Sequence, residues 1–251
     1  ATLVKALPKE HIIYGLDIIS PIKDGVRYTF SWDYLDKPDE IPEVDAIIHL
    51  AGKAHDTKNE AAADVYFKVN TDLTKKIFDY FLAHDSIKKF VFFSTAKAAA
   101  DKVDGVLTED VVPAPVGPYG ESKIAAEKFI LSNTDLTNDT NKQVYIFRPC
   151  MIHGPGNKGN LNLLYNVVRK GIPWPLGAFE NRRTFTSIEN ICFAVNGVLT
   201  KDVPSGIYNM GDDEALSTNE LIEEICKSLG KKAHIWIARS EERRVGKECR
   251  S

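Results

Sequence analysis

The chain has 251 residues, of which 43% are hydrophobic and 27% charged, and a formal net charge of −3. This composition is typical of one large globular domain, or of one and a half domains. Its longest apolar stretches are about five or six residues, too short to cross a bilayer, and its balanced charge offers no broad basic surface for nucleic acid.

Both ends of the chain differ from the rest. Residues 1–7 read as the last turns of a helix, and no initiator Met is present. Residues 239–251 change abruptly in composition and resemble the translation of a sequencing adapter, so we expect them to be non-native and exclude them from the fold. Both features favour a fragment of a longer reading frame.

The first part of the chain alternates predicted strands and helices. Short apolar or alternating runs predict strands at residues 11–17, 26–32, 45–50, 89–94 and 144–148. Apolar residues at four-residue intervals predict a long helix at 63–84, and Pro118 opens another at 119–132. This alternation predicts a parallel sheet covered by helices on both faces.

From about residue 154 the alternation of predicted strands and helices becomes less regular. We predict helices at 161–170, 188–199 and 217–229 and a strand at 206–210. Ser217 and Glu220 have the spacing of a capping box at the start of the last helix. The expected organisation is a first domain at 1–153, a smaller α+β lobe at 154–238 and the non-native tail at 239–251.

The cysteine spacing argues against a metal site. The chain has no C-x-x-C, so zinc binding and thioredoxin-like chemistry lose their usual support. We expect buried or incidental thiols in a reducing compartment, and therefore a cytoplasmic protein. The four positions are Cys150, Cys192, Cys226 and Cys249.

Tyr119 and Lys123 lie four residues apart and therefore share one face of the predicted helix. A lysine cation ~4 Å from a phenol would favour the phenolate by roughly 4 kcal/mol at an effective dielectric of ~20. That effect would bring the tyrosine pKa toward neutrality, where general acid–base catalysis is most effective. A Tyr-x-x-x-Lys pair is common by chance, so a surface helix pair is the alternative.

Candidate residues lie at the ends of three predicted strands, at the sheet edge where open α/β folds place their sites. Thr95, after Ser94, could hold an alcohol or sugar oxygen, or could simply cap a turn. Asp17 could accept hydrogen bonds from the ribose of a dinucleotide and repel a 2′-phosphate, favouring NAD over NADP, or could be a solvated acid. The small residues before Lys53 (Leu50, Ala51 and Gly52) could let the backbone approach a cofactor, or form a turn.

Six segments of the chain form an ordered set of motifs. They are IIHLAGKAH (47–55), VNTD (69–72), FFSTAK (92–97), PYGESKIAAEK (118–128), RPCMIHGPG (148–156) and NRRTFTSIEN (181–190). This set resembles the extended short-chain dehydrogenase/reductase family, and within it the chain is most similar to NAD-dependent epimerases, dehydratases and 4-ketoreductases of nucleotide-activated sugars. The resemblance covers roughly residues 1–237 and implies a Rossmann-type doubly wound parallel sheet with a smaller substrate lobe.

The resemblance implies a role for each matching position. Tyr119 would be the acid/base, Lys123 would lower its pKa and hold the nicotinamide ribose, and Thr95 would bind the sugar oxygen. The remaining implied contacts are Asp17 with the adenosine ribose, Leu50, Ala51 and Gly52 along the cofactor, Asn70 near a kink of the central helix, Pro149 and Ile152 beside the nicotinamide, and residues 156–163, including Asn160, together with Arg183 at the nucleotide diphosphate.

Two departures from the family pattern narrow the prediction. The chain has no G-x-x-G-x-x-G turn, so we expect residues 1–251 to bind NAD weakly. Ala96 and Lys97 follow Thr95 where 4,6-dehydratases carry two acids, which favours 4-epimerisation or 4-keto reduction over dehydration.

We expect a UDP-hexose or UDP-N-acetylhexosamine substrate in polysaccharide biosynthesis, and a homodimer formed through the two long helices. The alternatives are a 4,6-dehydratase and a non-catalytic dinucleotide-binding regulatory protein of the same fold.

Overall fold

The computed structural model describes residues 2–19, 24–37, 40–54, 62–137, 141–155, 160–179 and 181–236. The predicted non-native tail and residues 156–159 of the predicted diphosphate segment lie outside these ranges. In the described part of the chain, no helix is long and apolar enough to cross a membrane. The same ranges contain no group of His, Cys, Asp and Glu side chains arranged to hold a metal ion.

The described helices and strands follow one another closely along the chain. In order they are α1 (Thr2–Ala6), β1 (Tyr14–Leu16), β2 (Tyr28–Phe30), β3 (Ala46–His49), α2 (Ala63–Phe67), α3 (Leu73–Ala83), β4 (Lys89–Phe93), α4 (Ala96–Ala99), α5 (Pro118–Ser132), β5 (Gln143–Pro149), β6 (Met151–His153), α6 (Asn160–Arg169), β7 (Arg182–Ser187), α7 (Ile188–Thr200), β8 (Gly206–Met210), β9 (Ala215–Ser217) and α8 (Thr218–Ser228).

The first compact unit comprises Ala1–Cys150 and Ile188–Gly211. Its main sheet has the strand order β3-β4-β5-β8, and β1 and β2 form a separate two-stranded sheet. Every pair in both sheets is parallel. The predicted α/β fold with a parallel sheet is therefore confirmed.

Helices cover both faces of the main sheet. Successive side chains of a strand point to opposite faces, so Val144 and Ile146 of β5 pack with α3 and α5. Tyr145 and Phe147 pack on the other face, in the cluster that includes α7. Because both faces are covered, the strand reads as a continuous apolar run, as buried parallel strands do.

The sequence predicts one continuous lobe at 154–238, and this prediction is wrong for Ile188–Gly211. β8 extends the main sheet by pairing with β5, from Tyr145 opposite Gly206 to Pro149 opposite Met210. α7 packs its buried apolar residues against the second face of the same sheet. The chain thus returns to the first unit at Ile188. Local periodicity does not reveal this return, because it depends on the long-range pairing of β8 with β5.

The long helix predicted at 63–84 is interrupted by a π-turn. α2 ends at Phe67, the π-turn spans Lys68–Asp72, and α3 begins at Leu73. Single π-turns of this kind are often found at functional sites. Asn70, expected near a kink of this helix, lies at the centre of the π-turn.

The second compact unit comprises Met151–Ser187 and Asp212–Ser251. β7 pairs in parallel with β6 and antiparallel with β9. α6 and α8 contribute to an apolar cluster of Val168, Ile222 and Cys226. The predicted capping box is present: Glu220 N donates to Ser217 Oγ over 3.1 Å, and Ser217 N donates to Glu220 Oε2 over 2.7 Å.

Candidate active site

Three predicted catalytic residues meet at the carboxyl end of β4. Thr95 is the N-cap of α4, two residues after the end of β4. Tyr119 and Lys123 lie in the first two turns of α5, and the Tyr119 side chain forms a hydrogen bond with that of Thr95. Lys123 Nζ donates to the carbonyl of Phe93, the last residue of β4, over 2.8 Å.

The pKa of Tyr119 is not lowered as expected. Burial raises the pKa of Tyr119 above its ordinary value, and the hydrogen bond with Thr95 acts in the opposite direction. The Lys123 ammonium bonds to the Phe93 carbonyl and lies 4.8 Å from the centroid of the Phe92 ring. The prediction that Lys123 brings the Tyr119 pKa toward neutrality is therefore wrong in this structure, because desolvation of the phenol is the larger effect.

The environment of Lys123 perturbs the lysine itself. Lys123 is only 4% exposed. Burial lowers the pKa of Lys123 to about 8, while the negative charge of Glu127 opposes this change. Burial disfavours the charged form of a lysine, so Lys123 titrates much closer to neutral pH than an ordinary surface lysine.

The loop after β3 packs directly against Lys123. Leu50, Ala51 and Gly52 form the start of this loop, and Leu50 is 54% exposed. A Cβ added to Gly52 would lie 3.0 Å from Lys123 Nζ and 3.1 Å from Asn70 Oδ1. Both contacts are tight, so the absence of a side chain at position 52 allows this close approach.

Asn70 connects that loop to α5. Its Oδ1 accepts a 2.7 Å bond from Lys53 N, and its Nδ2 donates to Lys53 O and to Ser122 Oγ over 3.0 and 2.9 Å. The Ser122 hydroxyl in turn donates to the Tyr119 carbonyl over 2.9 Å. Asn70 is fully buried, and its amide therefore holds the β3 loop in register with the helix that carries Tyr119.

His49 contributes to the same region and is not among the predicted site residues. It ends β3, is 3% exposed, and its ring stacks on that of Phe92 with the centroids 5.6 Å apart and an interplanar angle of 27°. Burial and the positive charge of Lys123 lower the pKa of His49 to about 3. The only signal in the sequence is a titratable residue at the end of an otherwise apolar strand.

Glu127 and Arg148 were also not predicted as site residues, and they form a buried ion pair in this region. Glu127 is one turn beyond Lys123 on α5, and Arg148 precedes Pro149 on β5. The sequence signal was available, since Glu127 continues the i, i+4 series of Tyr119 and Lys123. Nothing local, however, indicates that the two charges meet.

Two predicted cofactor residues lie at other strand ends of the first unit. Asp17 directly follows β1, and its Oδ1 accepts a 2.7 Å bond from Ile18 N. Pro149 is the buried last residue of β5. Both positions are at carboxyl ends of parallel strands, as the prediction requires.

The remaining predicted contacts belong to the second unit. Ile152 is in the middle of β6, 39% exposed and paired with Thr186. Arg183 is exposed on the neighbouring strand β7. Its neighbour Arg182 donates to Ala215 O over 2.8 Å and forms a 3.1 Å ion pair with Glu220. Asn160 begins α6.

Within the described ranges, no hydrogen bond or ion pair holds the guanidinium of Arg183. Of the two adjacent arginines on β7, Arg182 thus forms intramolecular bonds with Ala215 and Glu220. The guanidinium of Arg183 is exposed and could contact a ligand.

Comparison with known proteins identifies relatives. Residues 31–211 match the model of the NAD-dependent epimerase/dehydratase family. The chain is 33% identical over 201 residues to a UDP-glucose 4-epimerase of Vibrio cholerae, covering 74% of this chain and 57% of that protein. It is 26% identical over 219 residues to a dTDP-glucose 4,6-dehydratase of Streptomyces niveus, covering 84% of this chain and 64% of that protein.

Solved structures share the fold. A UDP-N-acetylglucosamine 4-epimerase from Methanobrevibacter ruminantium M1 superposes with a TM-score of 0.77 at 20% identity, covering 95% of this chain and 82% of that one. An epimerase of the same name from Bacillus cereus gives a TM-score of 0.74 at 22% identity, covering 91% and 79%. These matches confirm the Rossmann-type fold.

The chain spans between 45% and 62% of the length of the first three curated relatives it matches. The family match nevertheless covers most of the chain and includes Thr95, Tyr119 and Lys123. The expected membership of the extended short-chain dehydrogenases/reductases is confirmed, and the chain belongs to the NAD-dependent epimerase/dehydratase family.

Proposed function

We propose that the chain is the cofactor-binding and catalytic part of an NAD-dependent nucleotide-sugar 4-epimerase or 4-ketoreductase. Its substrate would be a UDP-hexose or UDP-N-acetylhexosamine used in polysaccharide biosynthesis. The observation that carries the proposal is that Thr95, Tyr119 and the buried Lys123 lie together at the carboxyl end of β4. The relatives that are UDP-sugar 4-epimerases support the choice of substrate.

The residues at the carboxyl ends of β1 and β3 fit a dinucleotide. Gly52 leaves the space that a Cβ would fill next to Lys123 and Asn70, and the exposed Leu50 precedes it. Asp17 would accept hydrogen bonds from the adenosine ribose, Lys123 would hold the nicotinamide ribose, and Pro149 would lie beside the nicotinamide. When bound, the nicotinamide supplies the hydride acceptor or donor for C4 of the sugar.

The protein side of the reaction is proton transfer at the C4 oxygen. Thr95 would hold this oxygen by a hydrogen bond, and Tyr119 would take its proton during oxidation and return it during reduction. Burial raises the pKa of Tyr119, so the phenol is protonated at neutral pH and needs nearby positive charge to give up its proton. Lys123, one turn away on α5, would provide that charge during the reaction, while in the structure its ammonium bonds to the Phe93 carbonyl.

The residues after Thr95 support epimerisation or reduction rather than dehydration. Ala96 and Lys97 begin α4 at the positions where the resemblance to dehydratases calls for acids. Lys97 is exposed and paired with Asp101 at 3.0 Å. No carboxylate follows Thr95 directly to take part in elimination of water.

The second unit would bind the nucleotide diphosphate. Arg183 would form charge-assisted hydrogen bonds with its phosphates, which a guanidinium can contact in a bidentate manner.

We also propose a homodimer formed through the helices α3 and α5. Leu131 of α5 and Val65 of α2, the helix that precedes α3, are each 41% exposed, so these helices present some apolar surface. Light scattering across micromolar concentrations tests the proposal, and a monomer mass throughout would contradict it. A cytoplasmic location fits the buried thiols of Cys192 and Cys226.

The reaction can be tested by incubating the protein and NAD with UDP-glucose and UDP-N-acetylglucosamine, followed by separation of the C4 epimers. A redox-neutral epimerase converts the sugar without net change at 340 nm, whereas a reductase consumes NADH with a 4-keto sugar. Tyr119→Phe is the matched control, because it keeps the ring and removes only the phenolic oxygen. Wild-type turnover in this variant would contradict the assignment.

A further inference from the structure

The first unit contains a fully buried ion pair that the proposed reaction does not use. Glu127 is 0% and Arg148 1% exposed. Arg148 Nε lies 3.1 Å from each carboxylate oxygen of Glu127, and one terminal nitrogen of Arg148 lies 2.5 Å from Oε2. The Ser94 hydroxyl also donates to Oε1 of Glu127. The carboxylate thus receives charge-assisted and neutral hydrogen bonds from two different strand ends.

These contacts join the three segments that carry the candidate site. Ser94 directly precedes Thr95 after β4, and Arg148 directly precedes Pro149 at the end of β5. Glu127 lies one turn beyond Lys123 and two turns beyond Tyr119 on α5. A shift of the Glu127 carboxylate would therefore change the position of α5 relative to both strand ends.

Glu127 also acts on Lys123 through its charge. Burial alone would favour neutral Lys123, and the Glu127 carboxylate is the group whose charge opposes this effect. Among the residues that the structure describes, Tyr119 on the same helix, His49 at the end of β3 and Arg148 on β5 also face this region. Burial keeps His49 uncharged at neutral pH, since its pKa is lowered to about 3.

Stability by itself does not explain such a pair. Desolvating two charges costs several kcal/mol each, and well-packed apolar replacements of buried ion pairs are often as stable or more so. The Glu127–Arg148 pair contacts all three segments that carry the candidate site, and it lies one turn from Lys123. Its position therefore points to a role in the site.

We propose that Glu127 is a positioning residue of the candidate active site: its carboxylate, held by Arg148 and Ser94, aligns α5 with the ends of β4 and β5 and places a negative charge one turn from Lys123. This inference rests on the proposed function for its role in catalysis. The effect on Lys123 can be measured without any turnover.

The test is the ionisation of Lys123, followed by NMR in protein labelled with ¹³C at the lysine Cε. Loss of one signal in Lys123→Arg assigns the resonance. In Glu127→Gln the proton affinity of Lys123 is expected to fall at least tenfold. In Glu127→Asp, which keeps the charge, the affinity should return toward the wild-type value. Glu121→Gln, the same charge change at an exposed position of α5, should leave it unchanged.

An unchanged Lys123 titration in folded Glu127→Gln would overturn the inference. Glu127→Gln leaves Arg148 as an unpaired buried charge and could prevent folding. The double variant Glu127→Gln/Arg148→Met avoids that penalty. It should still lower the proton affinity of Lys123, but by less than Glu127→Gln does, because it also removes the opposing positive charge of Arg148. An unchanged affinity there would also overturn the inference.

Activity separates this inference from the proposed function. In an active enzyme, Glu127→Gln should move the pH dependence of kcat/KM that reports Lys123 toward lower pH, whereas a purely structural role would lower kcat/KM equally at all pH values. If no nucleotide sugar is converted by the wild type, the proposed function fails, but the NMR titration of Lys123 still decides the role of Glu127.

Discussion

The Nε2 atom of His49 lies 2.8 Å from the hydroxyl oxygen of Thr74, and the neighbouring bonds determine the direction of this contact. Thr74 uses its single hydroxyl proton to bond the Asn70 carbonyl in the π-turn over 2.7 Å. His49 must therefore donate its Nε2 proton to Thr74. A neutral imidazole with the proton on Nε2 thus connects the end of β3 to the interrupted helix.

This relationship predicts acid sensitivity. The pKa of His49 falls from 6.5 to about 3 on folding. Between these two pH values, His49 is protonated in the unfolded chain but neutral in the folded chain. The contribution of His49 to stability is fully present above about pH 6.5 and is lost as the pH falls toward 3, by roughly 2–4 kcal/mol. Urea unfolding of the wild type at pH 7, 5.5 and 4.5 should show this loss.

His49→Gln is the variant that isolates the effect. Its amide can still donate to Thr74 but does not titrate, so its stability should depend less on pH in this range. An identical slope of unfolding free energy against pH in both proteins would show that other groups cause the acid sensitivity.

Gly120 tests the packing of α5 against α4. A Cβ at position 120 would lie 2.6 Å from the carbonyl oxygen of Lys97, a distance that requires the backbone to shift. We expect Gly120→Ala to lower the free energy of unfolding by about 1–3 kcal/mol, as overpacked substitutions do. Thermal or urea unfolding measures it.

Gly197→Ala on α7 is the matched control. A Cβ there would have no atom within 4 Å, and Ala has a higher helix propensity than Gly, so the change should stabilise by about 0.5–1 kcal/mol. Equal effects of the two substitutions would contradict the close approach of the two helices at Gly120.

Asn70 should be important for both stability and the candidate site. Asn70→Ala removes three hydrogen bonds of a fully buried amide and leaves the Lys53 backbone without its side-chain partner. The expected loss is about 2–4 kcal/mol, with added mobility of the loop at Gly52. Hydrogen exchange of the Lys53 amide should accelerate in the variant.

Asn166→Ala, the same substitution at an exposed position of α6, serves as the control and should change stability by less than about 0.5 kcal/mol. If the Lys53 amide exchanges equally fast in the wild type and in Asn70→Ala, the amide of Asn70 does not hold this loop.

Asp17 tests the proposed cofactor. Its carboxylate would repel the 2′-phosphate of NADP, so we expect NAD to bind at least about tenfold more tightly than NADP, and Asp17→Asn to reduce this preference. Calorimetric titration of both nucleotides into both proteins measures the difference. Glu10→Gln, at an exposed position before β1, should leave the preference unchanged, and equal affinities in the wild type would remove Asp17 from the cofactor site.

The sequence by itself determined the strands and long helices of the first unit and the helix that carries two of the candidate catalytic residues, whereas α4, β6, β7 and β9 were not predicted. The apolar runs at β3, β4 and β5 predict buried parallel strands because each run is continuous, and the i, i+4 spacing places Tyr119 and Lys123 on one helix face. These are local properties, fixed by backbone periodicity. The motif order around Thr95 was sufficient for the family, which the comparison confirms.

Only the tertiary structure decided which distant segments meet. The return of Ile188–Gly211 to the first unit depends on the pairing of β8 with β5, which no local pattern encodes. The meeting of Glu127 with Arg148 depends in the same way on the packing of α5 over β5. The ionisation of Tyr119 and Lys123 follows from burial, since desolvation outweighs the spacing of two charges along a helix. Sequence spacing fixes which side chains share a face, whereas the surrounding packing sets their charge.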